Sequence, residues 1–516
     1  MAAEDVRRLG RHLLFVVCAS LYLIPIIRVI FIASDQGTLV SGAMRVANGE
    51  VFGRDFFEVI GPGSFYWLAF FFKVFGVTYA AVEKCLFLTS LGTVLAVYFL
   101  SARTCGRYRV LPCCLLTGLY FGAAWPGISH HTDSNCLALL AIVCVVLWEE
   151  KRASWLLLAA GVLAGLTTSV HWPKGVLLLA SILLWLGIER YRRSISIKPI
   201  KPAVLLLAGF CISTLAILAF FRSQGALWDL LYANFLWPSK HYGGVNACPY
   251  AQGLISNYWD VWTAGKESFR WLYGLAALLM IPFLVVVCMP LMLLMAAARN
   301  YWKTLRSDLL LYWLSGWAIW LSEFHRRDIY HLVLGSPVLL IVLVALLAKK
   351  ETRWSRGCLQ VLTVSAVTLC GFNLVLVGVA THKVATRVGN VAMFGEDQAV
   401  KFLDEHTSKG DAIFAYPYCP IYYFLSGTRN PTRYSILVYN YNTRGEFLDA
   451  LHGLETQRPK YVIWNTRYYK DAARVFPAAT RISKSDLVIE PYLTSHYTVV
   501  EEEDGIRVME RNSDLH

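Results

Sequence analysis

Charged residues are scarce in this chain of 516 residues: they make up 16% of it, whereas 56% of it is hydrophobic. A soluble domain of this size cannot cover its surface with so few charges, so the composition excludes an ordinary soluble protein and predicts a polytopic membrane protein. The net charge of +13 comes from short Lys and Arg clusters between apolar runs. That pattern is typical of membrane topology, so no nucleic-acid partner is expected.

The sequence also lacks Cys-x-x-Cys pairs, internal repeats and a small-residue cleavage site after its first apolar run. None of its 13 cysteines forms a Cys-x-x-Cys pair, so the common zinc and thiol-redox motifs are excluded. The missing cleavage site predicts that the run after Arg11 stays in place as the first membrane helix. Cys248 and Cys419 both fall in polar regions, and a disulfide between them stays open at this stage.

Eleven apolar runs approach the ~20 residues that a helix needs to cross a bilayer. They lie at about 12–34, 79–101, 110–128, 136–148, 155–170, 175–188, 203–221, 271–297, 309–321, 331–348 and 358–380. With the N-terminus in the cytoplasm, every connection on the cytoplasmic side is basic, as the positive-inside rule requires. These connections are 103–109, 151–152, 190–201, 299–306 and 349–356.

One further apolar segment, 61–76 (GPGSFYWLAFFFKVFG), has 16 residues and carries Lys73. If it crossed the membrane, every later basic connection would face outward, against the rule. We therefore predict an aromatic helix that lies at the outer interface, where Trp and Tyr are favoured. The odd number of spans then places everything after about residue 381 outside.

Residues 381–516 have the composition of a soluble α/β domain. The amphipathic stretch EDQAVKFLDEH predicts a helix, the runs AIFAY and YVIW predict buried strands, and Asp504-Gly505 predicts the turn of a hairpin. We therefore expect a membrane domain at 1–380 and an extracytoplasmic domain at 381–516.

Ionisable side chains in the predicted outer connections are the candidate site residues, because such groups are costly at membrane depth and commonly functional. They are Asp35, Arg54, Asp55, Glu58, His130, His131, Asp133, His171, Lys174, Lys240, His241, Glu323, His325, Arg326, Arg327 and Asp328. Adjacent histidines on a short loop rarely converge on one ion. At 130–133 we therefore expect a solvated or sugar-facing loop and no metal site.

The first outer connection, 35–78, carries a recognisable pattern. Asp35 directly follows the first helix; a short amphipathic helix, the sequence Arg-Asp-Phe-Phe and a Gly-Pro-Gly-aromatic run come after it. This pattern resembles the first outer loop of the GT-C glycosyltransferases, most closely the protein O-mannosyltransferase and aminoarabinose-transferase branch, which takes sugars from polyprenyl phosphates. The resemblance implies a polytopic α-helical membrane protein of GT-C type, with about 11 transmembrane helices and a C-terminal soluble α/β domain. It also implies that Asp35 is the catalytic carboxylate, although Gln36 stands where many members have a second acid.

The chemistry of such a transfer needs a base near the acceptor hydroxyl and cations around the departing phosphate. Asp35 is the predicted base. If the following span begins near Arg327, then Arg327 and His331 share one helical face towards the phosphate. The predicted substrate-binding residues are Asp55, Lys174, His325, Arg326, Arg327 and His331. Two alternatives stay open. Asp55 pairs with Arg54 instead of binding substrate, and Arg326 and Arg327 bind ordinary anionic lipid headgroups.

The sequence therefore predicts a hexosyl- or pentosyltransferase that uses a polyprenyl-phosphate-linked sugar and a glycan, lipid or protein acceptor, by inverting displacement. A multi-pass protein of the cell inner membrane is expected, with a periplasmic C-terminal domain and membrane lipids around it. The sequence identifies no cofactor with certainty, and assistance by a divalent cation stays open. The main alternative is a lipid or polysaccharide transporter or flippase, which predicts ionisable or helix-breaking residues in the middle of the spans. The second alternative is a non-catalytic scaffold protein.

Overall fold

The computed structural model describes residues 3–30, 35–120, 127–192, 200–254, 271–298, 306–395, 397–472 and 484–512. Up to residue 380 it is a helical bundle. Its helices are α1 (Ala3–Ile26), α2 (Asp35–Ala47), α3 (Gly63–Phe75), α4 (Tyr79–Thr104), α5 (Leu111–Tyr120), α6 (His130–Lys151), α7 (Ser154–Val170), α8 (Trp172–Arg192), α9 (Ile200–Ser223), α10 (Leu227–Leu231), α11 (Gly243–Asn246), α12 (Trp271–Ala298), α13 (Ser307–Glu323), α14 (Ile329–Gly335), α15 (Pro337–Lys350) and α16 (Arg353–Ala380), with one strand, β1 (Val29–Ile30).

The rest of the chain is a smaller α/β unit. Its elements are β2 (His382–Thr386), β3 (Gly389–Met393), α17 (Gln398–His406), β4 (Ile413–Tyr416), α18 (Ile421–Leu425), α19 (Arg444–Gln457), β5 (Tyr461–Asn465), α20 (Tyr468–Ala472), α21 (Ile489–His496), β6 (Tyr497–Glu503) and β7 (Ile506–Arg511). The predicted polytopic fold with a C-terminal α/β region is therefore confirmed.

Each of the eleven predicted spans has a helix in the described part of the chain. Seven helices there are long and apolar enough to cross a membrane, and the bent pair α14–α15 makes up to eight. The other three predicted spans coincide with α5, α7 and α13, which have 10, 17 and 17 residues. The last part of the predicted span 110–128 lies outside the described residues.

The first span ends earlier than predicted, at Ile26 instead of about residue 34. Val29 and Ile30 form β1, which pairs in parallel with β3 of the C-terminal unit. A strand that is buried on both faces has the same uniform apolar sequence as the end of a membrane helix, so hydropathy could not separate the two.

Helix α6 begins six residues before the predicted span, at His130. Ser129 caps its N-terminus, because its side chain accepts a hydrogen bond from Thr132 N at 3.3 Å. The polar stretch from His130 to Asn135 is therefore buried in the first two turns of a helix, and the expectation of a solvated loop at 130–133 was wrong.

The segment at 61–76 forms the predicted short helix, α3. Phe65 and Leu68 are buried, whereas Trp67 and Phe70 face outward, as an interfacial helix requires; its position in a membrane stays a prediction. Gly61 is needed for close packing, since a Cβ there would lie 2.4 Å from the backbone oxygen of Ser169.

The C-terminal unit contains a four-stranded sheet in the order β4-β5-β7-β6. β4 and β5 are parallel, whereas β7 pairs antiparallel with both β5 and β6. The predicted hairpin is confirmed: Asp504 and Gly505 have φ values of 47° and 78°, both in the left-handed region that such turns need. Cys248 and Cys419 are both free and buried, so the disulfide left open by the sequence does not form.

The C-terminal unit shares its hydrophobic core with the first outer connection. Gly37 in α2 lies against α18, where an added Cβ would come 2.7 Å from the backbone nitrogen of Ile421. Phe57 N also donates to Arg433 O at 2.9 Å. The unit therefore covers the end of the bundle at which the first outer connection lies.

Candidate functional site

The two ends of the bundle carry different side chains. At one end, Arg103 of α4 forms an ion pair with Glu150 of α6 at 2.8 Å, and Arg306 Nη2 donates to Arg103 O at 3.4 Å. Arg103 and Arg306 belong to predicted cytoplasmic connections and Glu150 directly precedes a third, so these connections meet in space. At the other end lie the N-terminus of α6 and the C-terminal unit, with the residues of the predicted outer connections.

A polar pocket lies at this second end, with a volume of about 100 Å³. Its wall combines the first outer connection, helix ends of the bundle and the C-terminal unit. The lining residues are Asp35, Thr38, Glu58, Val59, Ile60, His130, His131, Tyr242, Asn246, Arg326, His331, Tyr418, Ile436, Val438, Tyr441 and Tyr468.

Asp35 is the first residue of α2 and is half-buried at the edge of the pocket. Its Oδ1 accepts a hydrogen bond from the Tyr418 hydroxyl of the C-terminal unit. The tyrosine thus fixes one of the two carboxylate oxygens at the N-terminus of the helix. Among the described residues the other oxygen accepts no hydrogen bond, so it is available to a bound molecule.

Arg326 and His331 reach the same pocket through a shared partner, Asp328. The Asp328 carboxylate forms an ion pair with Arg326 and accepts from His331 N and His331 Nδ1, both at 2.9 Å. Burial acts to raise the pKa of Asp328, but His331 and Arg326 outweigh it and hold this pKa below its ordinary value. Asp328 therefore stays ionised and orients both the Arg326 and the His331 side chain.

Glu58 is a buried carboxyl group in the pocket wall. Burial, together with the negative charge of Asp35, raises the pKa of Glu58 from its ordinary value of 4.5 to about 8, because it outweighs the stabilising effects of Ser435 and Arg45. Glu58 is therefore neutral at pH 7 and able to donate a hydrogen bond into the pocket.

This raised pKa predicts a pH-dependent stability. Between about pH 5 and pH 8 the folded state keeps a proton on Glu58 that the unfolded state releases, so the contribution of Glu58 to wild-type stability falls with rising pH, by up to about 5 kcal/mol. Glu58→Gln removes this dependence and gives the higher apparent melting temperature at pH 8. Thermal unfolding of both proteins in detergent at pH 5 and pH 8 measures it, and parallel profiles would contradict the assignment.

Next to the pocket, a fully buried ion-pair network connects three helices. Lys174 Nζ of α8 lies 2.7 Å from Glu323 Oε1 of α13, and His131 Nδ1 of α6 lies 3.0 Å from Glu323 Oε2. Lys174 also donates to Ser134 Oγ at 2.9 Å and Asn135 Oδ1 at 2.7 Å. All three ammonium protons of Lys174 are thus used inside the protein.

The structure brings three of the seven predicted site residues, Asp35, Arg326 and His331, to the pocket and leaves four outside its wall. Lys174 is fully buried in the network above. Asp55 is held in its own loop by Arg54 at 2.8 Å and Val51 N at 2.7 Å, which matches the alternative left open for it.

The other two residues outside the pocket wall, His325 and Arg327, precede helix α14. His325 bonds Ser322 O through Nδ1 at 2.9 Å. Arg327 is exposed and lies over the Phe324 ring at 5.6 Å. The expectation that Arg327 and His331 share a helical face was wrong, because Asp328 caps α14 and Arg327 precedes the helix.

Several pocket residues were not selected from the sequence. Glu58 was set aside, and Tyr418, Tyr441 and Tyr468 were hidden because they lie far along the chain from Asp35. The stretch at 227–250 (LWDLLYANFLWPSKHYGGVNACPY) carries a usable signal, because its many Trp and Tyr residues suit sugar faces or lipid interfaces, and its Tyr242 lines the pocket. Tyrosine hydroxyls and ring faces together suit a polyhydroxylated ligand.

A second cavity, of about 830 Å³, lies on the other side of the α6 N-terminus and is almost entirely apolar. Asp133 of α6 is its one acid, and Ser64 Oγ donates to it at 2.6 Å. Helices α3, α4, α6, α7 and α9 line the cavity, with Tyr66, Trp67, Leu88, Leu137, Leu140, Leu166, Ile217 and Phe220 among its residues. An apolar space of this size suits a lipid chain.

The helical bundle, the acid after its first helix, the polar pocket beside it and the C-terminal α/β unit together resemble the fold of the GT-C membrane glycosyltransferases. The predicted resemblance to this superfamily is confirmed by comparison with known proteins. Residues 60–217 match the family model described as dolichyl-phosphate-mannose-protein mannosyltransferase.

Two solved proteins have a similar fold. ArnT from Cupriavidus metallidurans, bound to undecaprenyl phosphate, matches with a TM-score of 0.57 and 11% identity over 98% of each chain. The Archaeoglobus fulgidus oligosaccharyltransferase matches in its apo form with a TM-score of 0.53 and 11% identity over 98% of this chain and 74% of that one. Its complex with Zn and sulfate matches with a TM-score of 0.52 and 12% identity over 96% and 73%. No curated protein matches the chain.

Proposed function

We propose that this protein transfers a sugar from a polyprenyl-phosphate donor to an acceptor hydroxyl, with Asp35 as the general base. The observation that carries the proposal is the polar pocket, in which Asp35 faces Arg326 and His331. A carboxylate base beside an arginine and a histidine, in one small and partly closed space, is the arrangement that the transfer needs.

The lipid part of the donor has a matching place in the bundle. The apolar cavity and the polar pocket lie on either side of the first turn of α6, since Asp133 lines the one and His130 and His131 line the other. A lipid phosphate can thus hold its chain among the helices and its head towards Asp35. ArnT, which has a similar fold, was solved with undecaprenyl phosphate bound.

The reaction follows from these positions. Asp35 takes the proton of the acceptor hydroxyl as its oxygen bonds to the anomeric carbon of the sugar. The bond between that carbon and the phosphate oxygen breaks, and polyprenyl phosphate leaves with the electron pair. Arg326 compensates the charge that develops on the phosphate, so no acid is needed to protonate it. One displacement inverts the anomeric configuration.

The charge pattern supports an inner-membrane protein with its site on the periplasmic side. The basic helix ends meet at the end of the bundle opposite to the pocket, and basic connections are retained in the cytoplasm. The acceptor, a glycan, a lipid or a protein, would then approach from the periplasm, under the C-terminal unit.

A transfer assay tests the proposal directly. Purified protein is returned to membranes that supply acceptors, and a panel of radiolabelled polyprenyl-phosphate sugars is offered. We expect acceptor labelling together with release of polyprenyl phosphate from at least one donor. Movement of a labelled lipid across the bilayer without cleavage of any donor would instead support the transporter.

Two adjacent arginines provide a matched test of the pocket. Arg326 lines it, whereas Arg327 is exposed outside it. We expect Arg326→Gln to lower kcat by about 10²-fold or more, since removal of one transition-state donor costs this much. Arg326→Lys should recover part of the rate, because it keeps the charge but not the fork.

Arg327→Gln is the control, and we expect less than a threefold effect (~0.6 kcal/mol) from it. Melting temperatures of the three variants separate a loss of fold from a loss of rate. Equal rates for Arg326→Gln and Arg327→Gln would remove Arg326 from the proposed site.

A further inference from the structure

Five of the 12 histidines of the chain meet at the end of the bundle that holds the pocket. His130 and His131 begin α6, His171 lies between α7 and α8, and His325 and His331 flank the start of α14. Neighbouring rings lie close together: the centroid of His131 is 3.9 Å from that of His130, 5.6 Å from that of His171 and 5.0 Å from that of His331. The proposed transfer gives a role only to His331.

Three of these histidines can share one ion. His130, His131 and His171 are all buried, and each offers a ring nitrogen such that the three atoms lie within 4.8 Å of one another. The Nδ1 atoms of His130 and His171 have no hydrogen-bond partner among the described residues. A buried polar atom without a partner is costly, by about 1–3 kcal/mol, and calls for a ligand at that place.

The third histidine is oriented by an acid behind it. His131 Nδ1 lies 3.1 Å from Glu323 Oε1 and 3.0 Å from Oε2, so its N–H donates to the carboxylate and Nε2 keeps its lone pair. A carboxylate that holds the far nitrogen of a histidine is typical of metal-binding histidines. Lys174 supports the same carboxylate from its other side at 2.7 Å.

Two further groups with suitable spacing are weaker candidates. His131 with Glu323 and His331, and His171 with Glu323 and His325, both use the Glu323 carboxylate as a ligand. That carboxylate already binds Lys174, so an ion would have to displace a fully buried ammonium group. The all-histidine group leaves the Lys174–Glu323 pair intact.

We propose that His130, His131 and His171 bind a zinc-type transition-metal ion, with Glu323 as the acid that orients His131. Imidazole nitrogens suit Zn²⁺ and Co²⁺, whereas Mg²⁺ and Ca²⁺ require oxygen ligands. Three protein ligands leave a fourth position of a tetrahedral ion open, and His130 and His131 both border the polar pocket. The expectation of no metal rested on a loop at 130–133, and the helix and His171 remove that premise.

The test measures metal binding without any donor, so it is independent of the proposed transfer. Protein purified with a histidine-free tag is stripped with a chelator and then equilibrated with ZnCl₂ or CoCl₂. Elemental analysis should find about one tightly bound ion per chain, and bound Co²⁺ should show the intense visible absorption of a four-coordinate site. Excess MgCl₂ should not displace it.

Variants locate the site. His130→Ala and His171→Ala should each weaken binding by about 10–100-fold or abolish it, the range known for perturbed metal sites. His325→Ala is the matched control from the same cluster and should bind like wild type; circular dichroism checks the fold of each variant. Wild-type protein that binds no ion, or folded His130→Ala and His171→Ala proteins that bind it unchanged, would overturn the proposal.

Discussion

Asp35→Asn should lower the rate of sugar transfer by about 10²–10⁴-fold, the contribution of a positioned general base. The amide keeps the size and the hydrogen-bonding capacity of the side chain, so it can still accept a hydrogen bond from the Tyr418 hydroxyl. It cannot take a proton from the acceptor, and for this reason kcat should fall while the KM for the donor changes little. Initial rates with the donor identified in the panel assay measure both constants.

Asp55→Asn is the control for this experiment, because Asp55 belongs to the same connection and carries the same chemical group. Its carboxylate binds Arg54 and Val51 N instead of lining the pocket. We expect at most a small loss of thermal stability and near-normal transfer. Equal rates for wild type and a well-folded Asp35→Asn protein would remove Asp35 from the chemistry, whatever the fate of the metal site.

Local patterns predicted the architecture well. An apolar run of about 20 residues has one main structural solution in a membrane, so every predicted span has a helix. The Asp504-Gly505 turn and the strand at 413–416 are likewise determined by short-range chemistry. The errors at the end of α1 and the start of α6 arose where the protein interior, and not lipid, surrounds the chain.

The site was less predictable, because three-dimensional neighbours decide it. Sequence could place Asp35 after the first helix, but Tyr418, its hydrogen-bond partner, lies 383 positions away. Sequence also could not rank Arg326 above Arg327, since the difference depends on Asp328 as the helix cap. Lys174 was identified as a functional cation from its position, and the acid that binds it, Glu323, is 149 residues further along.

Removal of one partner of the Lys174–Glu323 pair should strongly destabilise the bundle. Both side chains are about fully buried, with relative exposures of 0% and 1%. We expect Lys174→Met to lower the free energy of unfolding by about 3–5 kcal/mol, because it leaves the Glu323 carboxylate without the cation that compensates it. The double variant Lys174→Met with Glu323→Leu should lose much less than the sum of the single losses, since no uncompensated charge stays buried.

Denaturant unfolding in mixed micelles measures these losses. A chelator is present throughout, so that metal binding does not contribute to the measured free energies of unfolding. Arg103→Met is the control from the opposite end of the bundle. Arg103 and Glu150 are partly exposed, at 26% and 46%, so the loss of their 2.8 Å pair should cost only about 0–1 kcal/mol. Lys174 does not line the pocket, so its loss should act through stability. If the Lys174→Met protein unfolds like wild type but fails to release polyprenyl phosphate, the lysine acts on the substrate. The structural role assigned to the pair would then be wrong.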